Sequence, residues 1–239
     1  MSNAQRSDRP VTIITGAGSG IGRAAAIRMH KHGPVVIVGR RTLPLQETGA
    51  HLGEEGTDWI SVEADITSSE GRQRIIDSTL RTFGRIDTLV NNAAIGTCGP
   101  LSALSEQQII ELIDINLTAP ILLTRLALPH LIEQNGCIVS IGSRAAIDPI
   151  PGLGTYGCTK AGLEGMARAL STEYGEQGIR AFTIHPGAVE TDMLRAIVST
   201  DDLPNDQVLK PDDLAEAIEA FILGKRDETS GAMAVVSKS

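Results

Sequence analysis

Short runs of β-branched residues alternate with longer helical patterns from one end of this chain to the other, and that rhythm restricts the fold more than any other feature. The strand candidates are Val11–Thr15, Val35–Gly39, Trp59–Glu63, Thr88–Asn91, Cys137–Ile141, Arg180–Ile184 and Met233–Val236. The helix candidates are Ile21–His32, Leu43–Leu52, Ser68–Phe83, Glu106–Glu133, Thr155–Tyr174 and Asp212–Leu223. Strands that alternate with helices build βαβ units with parallel strands and right-handed crossovers. Aromatic residues make up only 3% of the chain, so the core must be assembled from Val, Ile, Leu and Ala. That suits strands covered on both faces. The expectation is an α/β, doubly wound, mostly parallel seven-stranded sheet flanked by helices. One domain spans residues 10–239, after a flexible tail at 1–9, because no repeat, low-complexity tract or linker interrupts the pattern. Pro120 predicts a kink or break inside Glu106–Glu133.

A net charge of −8 disfavours a nucleic-acid or anionic-membrane partner, so any bound anion must be held by local groups. Cys98, Cys137 and Cys158 are an odd count without C-x-x-C spacing; they read as reduced thiols of a cytoplasmic protein. Cys158 is expected as a small buried hydrophobe. His30, His32, His51, His130 and His185 lack metal-binding spacing, and no metal is expected. No apolar run reaches bilayer length, and no membrane partner is expected.

The segment Thr15-Gly16-Ala17-Gly18-Ser19-Gly20-Ile21-Gly22 follows the first strand and opens the first helix. Glycines let the turn tighten and let main chain approach a ligand, while the helix presents unpaired N–H groups and the positive end of its dipole. In this strand–turn–helix context the turn points to a dinucleotide pyrophosphate in a Rossmann-type fold. The spacing differs from G-x-G-x-x-G, and no Lys-Ser/Thr pair follows to suggest a P-loop. The second strand ends at Gly39-Arg40-Arg41. An acidic residue there would grip the ribose hydroxyls of NAD, whereas guanidinium groups suit a 2′-phosphate. NADP(H) is therefore favoured, with NAD(H) as the alternative. Asp65 is either an adenine contact or a helix cap.

Tyr156 and Lys160 stand four residues apart in a helical segment and share one face. An ammonium beside a phenol favours phenolate, so Lys160 is expected to lower the Tyr156 pKa toward neutrality.

Together these residues resemble the short-chain dehydrogenase/reductase family, in its single-domain branch. The likeness runs from Val11 to about Ala188 and includes the glycine turn, Asp65, Asn91-Asn92-Ala93, Asn116, Ser143, Tyr156/Lys160 and Pro186-Gly187. It implies hydride transfer between a nicotinamide cofactor and a carbonyl/alcohol pair. By resemblance, Tyr156 is the acid/base and also contacts the cofactor, Lys160 also binds the nicotinamide ribose, Ser143 orients the substrate oxygen, and Asn116 anchors a water in a proton relay. Asn91, Asn92, Ala93 and Ile66 would lie beside the cofactor, and Val189 and Thr191 would meet its carboxamide. Ile95, Ile150, Leu153 and Met193 would line a partly apolar substrate pocket. A homodimer or homotetramer built on the Glu106–Glu133 and Thr155–Tyr174 helices is also implied.

The pattern departs from the family at Ala94, where Gly is usual, and at the C-terminus, which lacks paired glycines. The segment from Thr191 to Lys210 is short, predicting a more open pocket. Three other readings remain: an NAD-preferring dehydrogenase, a nucleotide-binding regulator without chemistry, and a sugar-nucleotide epimerase or dehydratase, for which the chain is short.

Overall fold

The computed structural model describes residues 7–226 and 228–238. Seven strands form one sheet: β1 (Thr12–Thr15), β2 (Val35–Gly39), β3 (Trp59–Glu63), β4 (Thr88–Asn91), β5 (Cys137–Ile141), β6 (Arg180–Pro186) and β7 (Met233–Val236). Their order is β3-β2-β1-β4-β5-β6-β7, and all six pairings are parallel. The strands fall within about two residues of the sequence boundaries, the scatter expected of element ends.

Continuous apolar strands serve two cores because successive side chains point to opposite faces. Ile14, Val35 and Ile37 pack on one face with Leu214, Ile218 and Phe221. Ile13, Val36 and Val38 pack on the other with Ile75, Leu89, Leu123 and Leu131. The first face is covered by α1 (Gly20–Met29), α2 (Thr42–Gly49) and α8 (Pro211–Ile222); the second by α3 (Ser69–Phe83), α5 (Ala119–Ile132) and α6 (Gly154–Tyr174). The helix α4 (Glu106–Ile113) leads into α5, and a short α7 (Asp192–Arg195) follows β6.

The Glu106–Glu133 segment is interrupted just ahead of Pro120. Between Asp114 and Thr118 the turn widens, and the Ala119 N–H donates to the Asp114 carbonyl five residues back. Pro120 then occupies the first turn of α5, where its missing N–H costs least. Two carbonyls lose their usual donors four residues on: Ile115, because Ala119 is turned to Asp114, and Asn116, because residue 120 is proline.

Residues 1–6 of the expected tail lie outside the described residues, as does Ser239. Its remainder is fastened: Ser7 N–H donates to Phe83 O at 2.9 Å, and Arg9 pairs with Asp58 at 2.5 Å. Cys158 departs from the sequence expectation. It is exposed, because the α6 side opposite Tyr156 and Lys160 faces outward at that point, whereas Cys137 is buried in β5. No helix among the described residues is long and apolar enough to cross a membrane.

Candidate active site

The chain runs outward from β1 to β3 and then crosses to β4 on β1's other side. Open α/β sheets hold ligands at such a reversal, outside the carboxyl ends of the strands. A cleft of about 580 Å³ lies there.

Its floor is tied across the reversal by main chain and short polar side chains. The Thr15 hydroxyl donates to Val90 O and accepts from the N–H groups of Asn92 and Ala93. The Asn92 amide donates to Thr15 O at 2.8 Å and Gly16 O at 3.2 Å. Gly16 has φ +66°, and a Cβ there would lie 2.9 Å from Ala93 Cα. Gly22 is beneath the turn, outside the cleft lining, and a Cβ on it would lie 2.3 Å from Gly16 O. The turn can close only without those side chains. The N-cap Ser19 makes no side-chain cap bond and no acidic residue occupies the first turn of α1, so the helix start suits an anion.

Gly16, Gly18, Ser19, Gly20 and Ile21 line this half, with Arg40 and Arg41 exposed at its rim. Neither arginine has an ion-pair partner among the described residues. Asp65 and Ile66 complete the far wall. Asp65 Oδ1 accepts from the Thr67 N–H at 2.9 Å and hydroxyl at 2.7 Å. The Thr67 N–H bond, aided by the Thr67 hydroxyl and the charge of Arg40, holds the Asp65 carboxyl below its ordinary range. Ser68, not Asp65, caps α3.

Ser143, Tyr156 and Lys160 line the other half. Ser143 starts a single helical turn after β5, its hydroxyl accepting from Ala145 N–H at 3.1 Å. Lys160 is 2% exposed; its Nζ donates to Ile141 O at 2.8 Å and lies 5.6 Å from the Tyr156 ring centroid. Burial pushes the Tyr156 phenol up to about 12, opposed by a hydrogen bond with Ser143, and pushes the Lys160 ammonium down to about 8. The lowering of Tyr156 by Lys160 expected from the sequence is therefore absent. Desolvation penalises both charged forms, and Lys160 is not among the influences on the phenol.

Ala93, Asn92, Pro186, Gly187, Val189 and Thr191 also reach the cleft. The Thr191 hydroxyl caps α7, accepting from Leu194 N–H at 3.2 Å. Asn91 and Asn116 do not line it. Asn91 turns the other way and donates to Thr124 Oγ1 at 3.1 Å. The Asn116 side chain exchanges two 2.9 Å bonds with the main chain of Ile95 and reaches Thr159. It pins the loop after β4 against α6.

Two features escaped the sequence. His185, fully buried in β6, sets its Nδ1 2.8 Å from Ser143 O and 3.2 Å from Ser143 N, and Glu164 lies 3.6 Å from its Nε2. A Cβ on Gly142 would sit 2.7 Å from that Nδ1, so the Gly142–Ser143 main chain lies directly on the ring. His185 directly precedes Pro186-Gly187, which was the available signal. The second feature is Arg195. Its guanidinium binds Glu190, Leu203 O at 2.8 Å and Asn205 at 2.7 Å, folding residues 190–205 onto themselves as a lid. Lys238 near the C-terminus donates to Asp206 O and Val208 O, fastening the lid's end. The short segment is thus tied to itself and to the chain near Lys238.

A model of the short chain dehydrogenase family matches residues 10–202. An uncharacterized oxidoreductase of Thermotoga maritima is 31% identical over 231 residues, covering 93% of this chain and 88% of that protein. Among solved structures, a 3-ketoacyl-(acyl-carrier-protein) reductase from Brucella melitensis complexed with NADH superimposes with a TM-score of 0.88 at 31% identity, covering 95% of this chain and 96% of that one. A 7α-hydroxysteroid dehydrogenase complexed with NADH and 7-oxo glycochenodeoxycholic acid gives 0.88 at 27% identity, covering 99% and 96%. With its parallel seven-stranded sheet and a cleft at the point where the strand order reverses, this chain belongs to the short-chain dehydrogenase/reductase family of oxidoreductases.

Proposed function

We propose that the protein is an NADP(H)-preferring oxidoreductase that interconverts a carbonyl and an alcohol. The observation that carries the reading is the convergence of Ser143, Tyr156 and buried Lys160 in the same cleft as the uncapped start of α1. The glycine turn and the α1 amides would hold the pyrophosphate, Arg40 and Arg41 a 2′-phosphate, and Asp65, Ile66, Asn92 and Ala93 the adenosine side and middle of the dinucleotide. Pro186, Gly187, Val189 and Thr191 would flank the nicotinamide. When bound, the nicotinamide supplies or accepts the hydride.

Lys160 has Ile141 O as its hydrogen-bond acceptor among the described residues, which leaves ammonium donors for ribose hydroxyls. Ser143 and Tyr156 orient the substrate oxygen. Burial raises the Tyr156 phenol above its ordinary value, so Tyr156 would keep its proton in the neutral range and serve as the acid in carbonyl reduction. In alcohol oxidation the same side chain would take the proton back as the base. Asn116 serves the relay through its main-chain carbonyl, which Pro120 deprives of a helical donor. That carbonyl, not the engaged side chain, would hold a water linking Lys160 to solvent.

The α4–α5 surface bears Ile110, Ile113 and Ile121, each about 40% exposed, which supports a homodimer or homotetramer joined there. Free thiols at Cys98, Cys137 and Cys158 suit a reducing, cytoplasmic setting. NAD(H) is the second reading, favoured by the NADH in two solved relatives. Steady oxidation of NADPH by a panel of ketones tests the activity, and cofactor binding without turnover would refute it. Titration with NADP and NAD tests the preference: equal affinities would refute the role of Arg40 and Arg41.

A further inference from the structure

Past Ser143 and Tyr156 the cleft is walled by aliphatic side chains from three separate segments. Ile150 and Leu153 come from the loop before α6, Ile95 from the loop after β4, and Met193 and Ile197 from the lid. The lid reaches the opposite wall: a Cβ on Gly96 would lie 3.1 Å from Ile197 Cδ1 and 3.3 Å from Met193 Cγ. Ile150 and Ile197 nonetheless keep 44% and 36% of their surface exposed. Apolar surface left open inside a concave site is what an apolar ligand covers.

The charges in the cleft sharpen this. Arg40, Arg41 and Asp65 belong to the β2–β3 end and Lys160 to the floor, which leaves Arg144 and Asp192 at the substrate end. Arg144 donates to Asp148 at 2.7 Å, and the lid's Arg195 is held by Glu190 and Asn205. A carboxylate or phosphate on the substrate would meet no unpaired cation there and would face Asp192. An ammonium would have only that exposed, water-screened carboxylate. A polyol would leave hydroxyls against Ile and Leu without partners.

We infer that the substrate is an uncharged ketone, or its secondary alcohol, on an apolar aliphatic or alicyclic skeleton, selected by Ile95, Ile150, Leu153, Met193 and Ile197. This rests on the carbonyl-reducing reading above and narrows it. The carbonyl end is fixed by two hydroxyls and the rest of the molecule by dispersion and apolar burial.

Three ligands of similar shape test it by calorimetric titration into the protein saturated with NADP: cyclohexyl methyl ketone, cyclohexanecarboxylate and cyclohexylmethylammonium. The ketone is expected to bind at least tenfold more tightly than either ion. A charged analogue that binds as well as the ketone, or failure of all three to bind, would overturn the inference. Oxidation of NADPH by the same ketone is read separately. Binding without turnover would sink the redox reading and leave the substrate class standing. Ile150→Lys, at a half-exposed rim position, adds the missing cation; it is expected to improve carboxylate binding about tenfold over wild type and to weaken ketone binding. An unchanged preference in that variant would also count against the inference.

Discussion

At the β1–β3 half of the cleft the floor is main chain and glycine, with charged side chains only at the rim and far wall, whereas at the β4–β6 half it is lined by the half-buried Ser143 hydroxyl and Tyr156 phenol and the buried Lys160 ammonium. The first half would hold an anion through main-chain amides without ionisable groups in its floor, which suits a chain of net charge −8. The second half places Lys160 where burial penalises its charge, a destabilising arrangement that a chemical site tolerates. Substitutions should therefore fail differently in the two halves: by losing binding in one, by losing turnover in the other.

The largest separation is expected at Lys160. Lys160→Met should lower turnover about a hundredfold or more, the scale of losing one preorganised donor. The same change should raise the melting temperature at pH 7, because folding no longer has to bury an ammonium. The sign follows from the lowered pKa. Between about 8 and the ordinary lysine value of 10.5 the unfolded chain binds more protons than the folded one, so wild-type stability gains with rising pH in that window. The Met variant should lack that gain in calorimetric melts. Reduction by the wild-type protein should be level below pH 8 and decline above it as Lys160 loses its proton.

In the other half, Gly22→Ala forces a methyl to 2.3 Å from Gly16 O, and only a main-chain shift can relieve it. Dinucleotide affinity should drop about tenfold to a hundredfold, the equivalent of roughly 1–3 kcal/mol of overpacking. Fluorescence titration checks this, and an unchanged dissociation constant would break the claim that the turn is a sterically exact cradle.

A smaller effect is expected behind Ser143. His185→Ala removes the ring against the Ser143 main chain and should lower kcat up to about tenfold, the worth of one hydrogen bond, with cofactor affinity unchanged. His185→Asn keeps a polar atom near the Nδ1 position and should restore most of it. If both variants were alike, His185 would be packing and nothing more. Least of all, Arg40→Ala and Arg41→Ala should each weaken NADP binding by about three- to tenfold, the range of an exposed charge contact, and leave NAD binding alone.

What the sequence made legible tracks the distance over which each signal acts. The Thr15–Gly22 turn and the Tyr156/Lys160 pair are local, set by one tight turn and one helical turn, and both lie in the cleft. The strands were legible because each is a short β-branched run bounded by helical patterns. Contacts across the fold were not. His185 meets Ser143 from 42 residues away, and Asn116 closes on Ile95 across 21. Arg195 ties its lid through Glu190, Asn205 and the Leu203 carbonyl, a set with no fixed spacing to announce it. The pKa of Tyr156 could not be read from spacing either, since its direction is decided by burial and not by the proximity of Lys160.

The central claim is that the glycine turn and its helix start hold the dinucleotide chiefly without help from the Tyr156 hydroxyl, and that this hydroxyl delivers the proton. Tyr156→Phe, measured for cofactor dissociation constant and for turnover of a ketone that the wild type reduces, tests both at once. The account predicts an unchanged dissociation constant with turnover reduced about a thousandfold, within the range for general acid catalysis. Turnover within a few-fold of wild type would contradict it.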